Sequence, residues 1–298
     1  MAAHIHSELF TERPSRVLLF FVDGLGLPHS NVLRKSIFAE FPILCELLQS
    51  HAVPLATHLN VSGTPQSATG QTTILTGTNA CALTGRPLSG FPTRPLRRCL
   101  ESENIFLKLQ NYDCQATFAN AYVRRHERSL QRNLQSATTI ATLSAFGRTR
   151  TADDLLRGNA LYHDLTRWTL VDHAGVEDVP RITQQEAARH LMNVFRQHQF
   201  CLFEYFLTDV YGHRGTLDQK KAILRSIEEH VRHLFEQRQE DELIMIVSDH
   251  GNIEEPDHKY HTRNSVPLVA LGPGRDTLFR ECRSLTDITP LIVQLLTA

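Results

Sequence analysis

The chain has 298 residues, 31 Lys plus Arg against 32 Asp plus Glu, a formal charge of -1, and 41% hydrophobic residues. That length and apolar content can bury one sizeable α/β core, and the balanced charge removes any global electrostatic reason to bind nucleic acid or an anionic membrane. Six cysteines without a C-x-x-C pair argue for reduced thiols rather than a disulfide framework or a zinc ribbon.

Residues 1–16 contain no apolar signal core, and Val17 to Val22 is far too short to span a bilayer, so a cytoplasmic protein is expected. That run reads instead as a strand buried on both faces, as in a mostly parallel sheet. It delivers Asp23 at its end, followed by Gly24-Leu25-Gly26, which permit a tight exit. Asp23 is a candidate metal ligand or an Asx-turn residue. Residues 31–49 read as helix interrupted near Pro42. Gly63 to Gly77 is dense in small and hydroxyl residues, with a helix start expected near Ser67 or Thr69. Free N–H groups at such a start favour an anion. Ser67 is there either a plain N-cap or, beside a metal, an activated nucleophile.

Between 86 and 166 the signals weaken. Pro87, Pro92 and Pro95 mark a loop, residues 96–109 a helix and 114–122 a strand. Arg124-Arg125-His126-Glu127-Arg128 is a basic cluster, either a solvated face or a site for a substrate phosphate or carboxylate. This stretch is expected to be a cap or insertion within a single 1–298 domain. Thr183-Gln184-Gln185-Glu186 is a capping box opening a helix to about Gln199. Phe200 to Thr208 is a second buried strand, ending in Asp209. If the chain turns helically there, the four-residue spacing brings Asp209 and His213 to one ion.

A second capping box, Thr216-Leu217-Asp218-Gln219, opens an amphipathic helix with Ile223, Ile227, Val231 and Leu234 on one face. It leads into Leu243 to Val247, five apolar residues that run into Ser248-Asp249-His250-Gly251-Asn252. Function in such sheets collects at the carboxyl ends of strands, where Asp249 and His250 would stand; the alternative is a turn. Residues 266–271 form a last strand. Residues 286–296 form a closing helix, with Thr286 as N-cap and Pro290 in its first turn.

Three strand-terminal aspartates with histidines just beyond strands supply enough ligands for two divalent ions, which can clamp a displacement at phosphorus. From Val17 onward these motifs together resemble the alkaline phosphatase superfamily, in the branch of cofactor-independent phosphoglycerate mutases and phosphopentomutases. The resemblance implies a three-layer αβα sandwich with a mostly parallel sheet and a small cap. It also implies two divalent metal ions, Mn or Zn, with Mg as a further option. Asp23, Ser67, Asp249 and His250 match one metal set, and Asp209, His213 and His261 the other, with His258 then a surface residue. Ser67 occupies the nucleophile position, and Thr69, Gln71, Arg124 and Arg125 are candidate substrate contacts.

Two departures bear on the activity. The mutases carry Gly-His after the nucleophile where this chain has Gly70-Gln71, and only 142 positions separate Ser67 from Asp209. The leading expectation is therefore a two-metal phosphohydrolase or phosphotransferase acting on a small phosphate ester through phosphoserine. The alternatives are a phosphopentomutase-like mutase and a catalytically inactive metal-binding homologue.

Overall fold

In the computed structural model, which describes residues 13–123, 130–170 and 179–298, β1 (Arg16–Val22) lies inside a six-stranded sheet. Its neighbours are β2 (Ala52–Leu55), β3 (Ala116–Phe118), β4 (Phe200–Tyr205), β5 (Glu242–Ser248) and β6 (Val266–Leu271). The order across the sheet is β2-β6-β5-β1-β4-β3. β1 pairs in parallel with β4 and β5, and β3 with β4. Only β6 runs against the others, antiparallel to both β5 and β2.

The helices on the first half of the chain are α1 (Ser30–Leu33), α2 (Pro42–Ser50), α3 (Ser67–Thr76), α4 (Ala80–Thr84), α5 (Arg94–Glu103), α6 (Ile105–Gln110) and α7 (Ala137–Phe146). They are followed by α8 (Ala152–Leu156), α9 (Gln184–Arg196), α10 (Leu207–Arg214), α11 (Leu217–Gln237), α12 (Arg275–Glu281) and α13 (Ile288–Thr297). Alternation along β1 sorts them into two layers. Leu18, Phe20 and Val22 pack with α2, α9 and α11, whereas Val17, Leu19 and Phe21 pack with α3, α6, α7 and α13. Every residue from Val17 to Val22 is thereby buried, the physical basis of the unbroken apolar run. None of the described helices is long and apolar enough to cross a membrane.

Both capping boxes form. The Thr183 hydroxyl accepts from Glu186 N while Glu186 accepts from Thr183 N, and Thr216 and Gln219 do the same. The expected helix at 96–109 is two, because Asn104 leaves the helical conformation and restarts the chain by accepting from Phe106 N and Leu107 N. The stretch 31–49 likewise divides into α1, a 3-10 turn at Ile37–Glu40 and α2, which starts at Pro42. At the C-terminus Ser284, not Thr286, supplies the cap, through a box with Asp287 on the 3-10 turn Leu285–Asp287. The segment 86–166 contributes the edge strand β3 and the helices α5, α6 and α7 to the sheet and its layer, and its loops overhang the carboxyl edge.

Candidate metal centre

Register does the first part of the assembly. Val22 is opposite both Tyr205 and Ser248, so the carboxyl ends of β4, β1 and β5 lie level, and Asp23 and Asp249 each follow by one residue. The strand expected over 200–208 stops at Tyr205. The chain turns at Phe206 into α10, so Asp209 is in the first helical turn and His213 one turn later on the same side. His213 Nε2 is 3.3 Å from Asp209 Oδ1. His261, from the loop before β6, brings its Nε2 to 3.2 Å from Asp209 Oδ1 and 3.0 Å from His213 Nε2.

A second cluster adjoins the first. His250 Nε2 lies 3.2 Å from Asp23 Oδ1, 3.5 Å from Asp249 Oδ2 and 2.8 Å from Ser67 Oγ. The His250 and His261 rings stack with centroids 3.7 Å apart, which joins the two clusters. The donor atoms of Asp23, Asp249 and His250 lie within 4.8 Å of one another, as do those of Asp209, His250 and His261.

Surrounding contacts aim these donors inward. His213 Nδ1 donates to Lys259 O at 2.7 Å and His261 Nδ1 to Pro65 O at 3.0 Å, which turns each Nε2 towards the cluster. Asn252 Nδ2 donates to Asp209 Oδ1 at 2.8 Å, and Gln71 Nε2 to Asp23 Oδ2 at 2.9 Å. Asp249 Oδ1 accepts from His250 N at 3.0 Å and Gly24 N at 3.3 Å. Asp23 Oδ1 and Asp249 Oδ2 are buried with no well-formed hydrogen bond, their polar neighbour being His250 Nε2 at 3.2 and 3.5 Å. Two carboxylate oxygens in such a position need a cation, and the mixed oxygen and nitrogen donors fit a divalent ion.

Charge in the cluster responds accordingly. Burial and the adjacent Asp23 hold the Asp249 carboxyl well above the usual range. Burial opposes a charge on His250, but Asp249 and Asp23 outweigh it and raise the imidazole to about 10. For Asp209 burial is likewise overcome, by the hydrogen bond from His261 and the charge on His250, and the carboxyl falls to about 2.

Ser67 is the first residue of α3, and Gln66 is its cap residue, so the serine hydroxyl is not spent on capping and faces His250. Gly70, one turn on, lies so close to Asp249 that an added Cβ would stand 2.9 Å from Asp249 Cβ and 3.2 Å from its carbonyl oxygen. Thr69 turns away from the cleft: its hydroxyl donates to Gln66 O and accepts from Leu88 N, and the residue is buried. Gln71 reaches the site as the partner of Asp23. Arg124 and Arg125 lie outside the described residues. His258 is exposed and packs edge-on against Tyr260.

Sequence reasoning missed three neighbours. Asn252 is one. Glu254, buried, gathers the loop by accepting from Gly26 N, Asn252 N, Thr262 Oγ1 and Asn264 Nδ2. Glu204 accepts from Thr138 Oγ1 at 2.6 Å, and burial raises it to about 7. A carboxylate inside an apolar strand was the available signal for Glu204. Above the two clusters opens a cleft of about 1000 Å³, lined in part by Asp23, Ser67, Gln71, Asp209, His213 and His261.

A family profile described as Metalloenzyme superfamily matches residues 15–298. A 2,3-bisphosphoglycerate-independent phosphoglycerate mutase of Acetivibrio thermocellus is 29% identical over 109 residues, 34% of this chain and 21% of that protein. The corresponding mutase of Lawsonia intracellularis is 26% identical over 125 residues, 39% and 24% of the two chains. The chain thus matches under a quarter of the length of these relatives. Among solved structures, an alkaline phosphatase from the Antarctic bacterium TAB5 superposes with a TM-score of 0.55 at 12% identity, over 96% of this chain and 99% of that one. A cold-active alkaline phosphatase from Shewanella sp. gives 0.58 at 12% identity, over 95% and 100%. The fold is accordingly alkaline phosphatase-like, with a mixed, mostly parallel six-stranded sheet and helices on both sides.

Proposed function

The chain belongs to the Metalloenzyme superfamily, and on that premise we propose that it is a two-metal phosphohydrolase or phosphotransferase acting on a small phosphate ester through phospho-Ser67. Asp23, Ser67, Asp249 and His250 would hold one divalent ion, and Asp209, His213 and His261 the other, with Mn or Zn suited to the mixed donors and Mg to the carboxylates. The ions would supply the positive charge that lowers the Ser67 hydroxyl pKa and neutralises the phosphoryl oxygens. The observation that carries this reading is the place of Ser67 Oγ, at the start of α3 and 2.8 Å from His250 Nε2, where the clusters meet.

Ser67 Oγ loses its proton to solvent and forms a bond to phosphorus as the bond to the ester oxygen breaks; the departing alcohol takes up a proton from solvent. The N–H groups of Ser67 and Ala68 at the start of α3 and the helix dipole favour the charge on the transferring group, Thr69 N being spent on Leu88 O. Water then attacks the phosphoserine, the bond from phosphorus to Oγ breaks, and phosphate leaves with the serine hydroxyl restored. Hydrolysis is favoured over mutase chemistry by the open rim of the cleft, where Phe91 is 50% and Tyr260 73% exposed. A transferred phosphoryl group that must be kept from water needs a closed site. The chain acts in this reading as one metalloenzyme unit in which the loops of 86–166 select the substrate.

The test is turnover of a generic aryl phosphate by the purified chain, with and without Mn(II) or Zn(II). Turnover only with bound ions is expected. Stoichiometric metal binding with no turnover of any ester in a panel of mono- and diesters would replace this reading by a binding role.

A further inference from the structure

Away from the two clusters the cleft presents a wall that plays no part in moving the phosphoryl group. Phe118 and Tyr122 stand at and just beyond the end of β3, Phe206 and Val210 one turn apart at the start of α10, Phe91 on the loop before α5, and Tyr260 beside His261. The His163 ring, itself part of the lining, stacks on Phe206 at 4.5 Å. Of the eight exposed large hydrophobic side chains among the described residues, three, Phe91, Val210 and Tyr260, are on this one cleft. Exposed apolar groups gathered at one place mark a surface that binds something apolar.

Several polar groups of the same wall are already paired with one another. Tyr122 Oη and Thr139 Oγ1 are 2.6 Å apart, and Ser136 Oγ is 2.8 Å from Thr139 Oγ1. Asn120 spends its amide on the backbone of Glu204, donating to the carbonyl and accepting from the N–H, and Glu204 is held by Thr138. Among the described lining residues there is no Lys or Arg. A polyhydroxylated or acidic leaving group would lose its hydration here and find these donors taken, whereas an aromatic ring loses only water contact.

We propose that this wall selects the leaving group, so that the substrates are phosphate monoesters of alcohols carrying an aromatic or extended apolar group. The proposal rests on the phosphoryl-transfer reading above and adds the substrate class to it. Phe91 is then a specificity residue: it touches the departing group and leaves the reacting atoms alone.

Three monoesters of simple alkyl alcohols separate recognition from leaving-group reactivity: 2-phenylethyl phosphate, ethyl phosphate and glycerol 1-phosphate, given to the metal-loaded full chain. The 2-phenylethyl ester is expected to exceed the other two in kcat/KM by about 100-fold, the range that one well-buried apolar group gives. Phe91→Ala should remove about 10-fold of that advantage, read as the ratio of kcat/KM for the 2-phenylethyl ester to that for ethyl phosphate, and Phe91→Tyr should restore it. Equal kcat/KM for the three esters, or an undiminished preference in Phe91→Ala, overturns the proposal. If none is turned over, calorimetry with 2-phenylethylphosphonate and methylphosphonate on the metal-loaded chain still distinguishes the two claims. Tighter binding of the phenyl compound, weakened by Phe91→Ala, supports the wall while the hydrolase reading fails; equal binding overturns the wall as well.

Discussion

His250 Nε2 is the atom on which the residue-scale account turns, because Asp23, Asp249 and Ser67 all point at it. In the metal-free chain a proton there does the work of a cation, and a divalent ion must displace it. The imidazole is raised to about 10 from an ordinary 6.5, so its contribution to stability is complete below 6.5 and is lost as pH climbs towards 10. Asp249, raised above its ordinary 3.8, acts in the same direction, since ionising it in the fold costs more than in the unfolded chain. Thermal midpoints measured in chelator should therefore fall as pH rises above 6.5, while those measured with saturating Mn(II) should hold, the gap widening with pH. Parallel curves would contradict the displacement. Asp249→Asn keeps the side-chain shape and removes one anionic oxygen, so folding should survive. Metal affinity should drop by at least about 100-fold, more than the loss of an outer contact to a ligand usually costs. Metal content after dialysis, read beside circular dichroism, checks it, and full occupancy with normal turnover would remove Asp249 from the ligand set.

At the scale of elements, α3 and α11 invite opposite expectations. Gly70 lets the first turn of α3 lie on Asp249, and a methyl group there must push the helix or the aspartate aside. Gly70→Ala should cost about 1–3 kcal/mol, as overpacking does, and lower turnover with it by shifting Ser67 from His250. Thr216→Ala breaks the capping box of α11, a helix that gives no residue to the cleft lining, and should cost about 1 kcal/mol with kcat/KM intact. Denaturant midpoints and kinetics on both variants make the comparison; equal turnover in the two would show that the seat of α3 on Asp249 is not needed. The sequence made β1, β4 and β5 legible because each is buried on both faces, and the two capping boxes marked α9 and α11. β2 gave no signal, being four residues long at the sheet edge with Pro54 exposed. The apolar run through Phe206 and Leu207 concealed the change from strand to helix, since burial continues across it. Gln71 could not be paired with Asp23 from spacing, because 48 positions and a sheet edge separate them.

For the whole molecule, the proposed ligands come from five separated places: the ends of β1 and β5, the start of α3, the two ends of α10, and the loop before β6. No segment holds a complete set, so the site exists only when the parallel register of β4, β1 and β5 is in place. The start of α3 brings Ser67 Oγ to 2.8 Å from His250 Nε2, and the central claim is that Ser67 becomes phosphorylated. Acid quench of the metal-loaded chain during turnover of an aryl phosphate, followed by peptide mass spectrometry, tests it most directly. The account predicts one added phosphoryl group on the peptide containing Ser67, absent without metal, and a Ser67→Ala chain that still binds metal through Asp209, His213 and His261 but turns over at least about 1000-fold more slowly. A Ser67→Ala chain with normal turnover, or a phosphoryl group trapped on another residue, would contradict it.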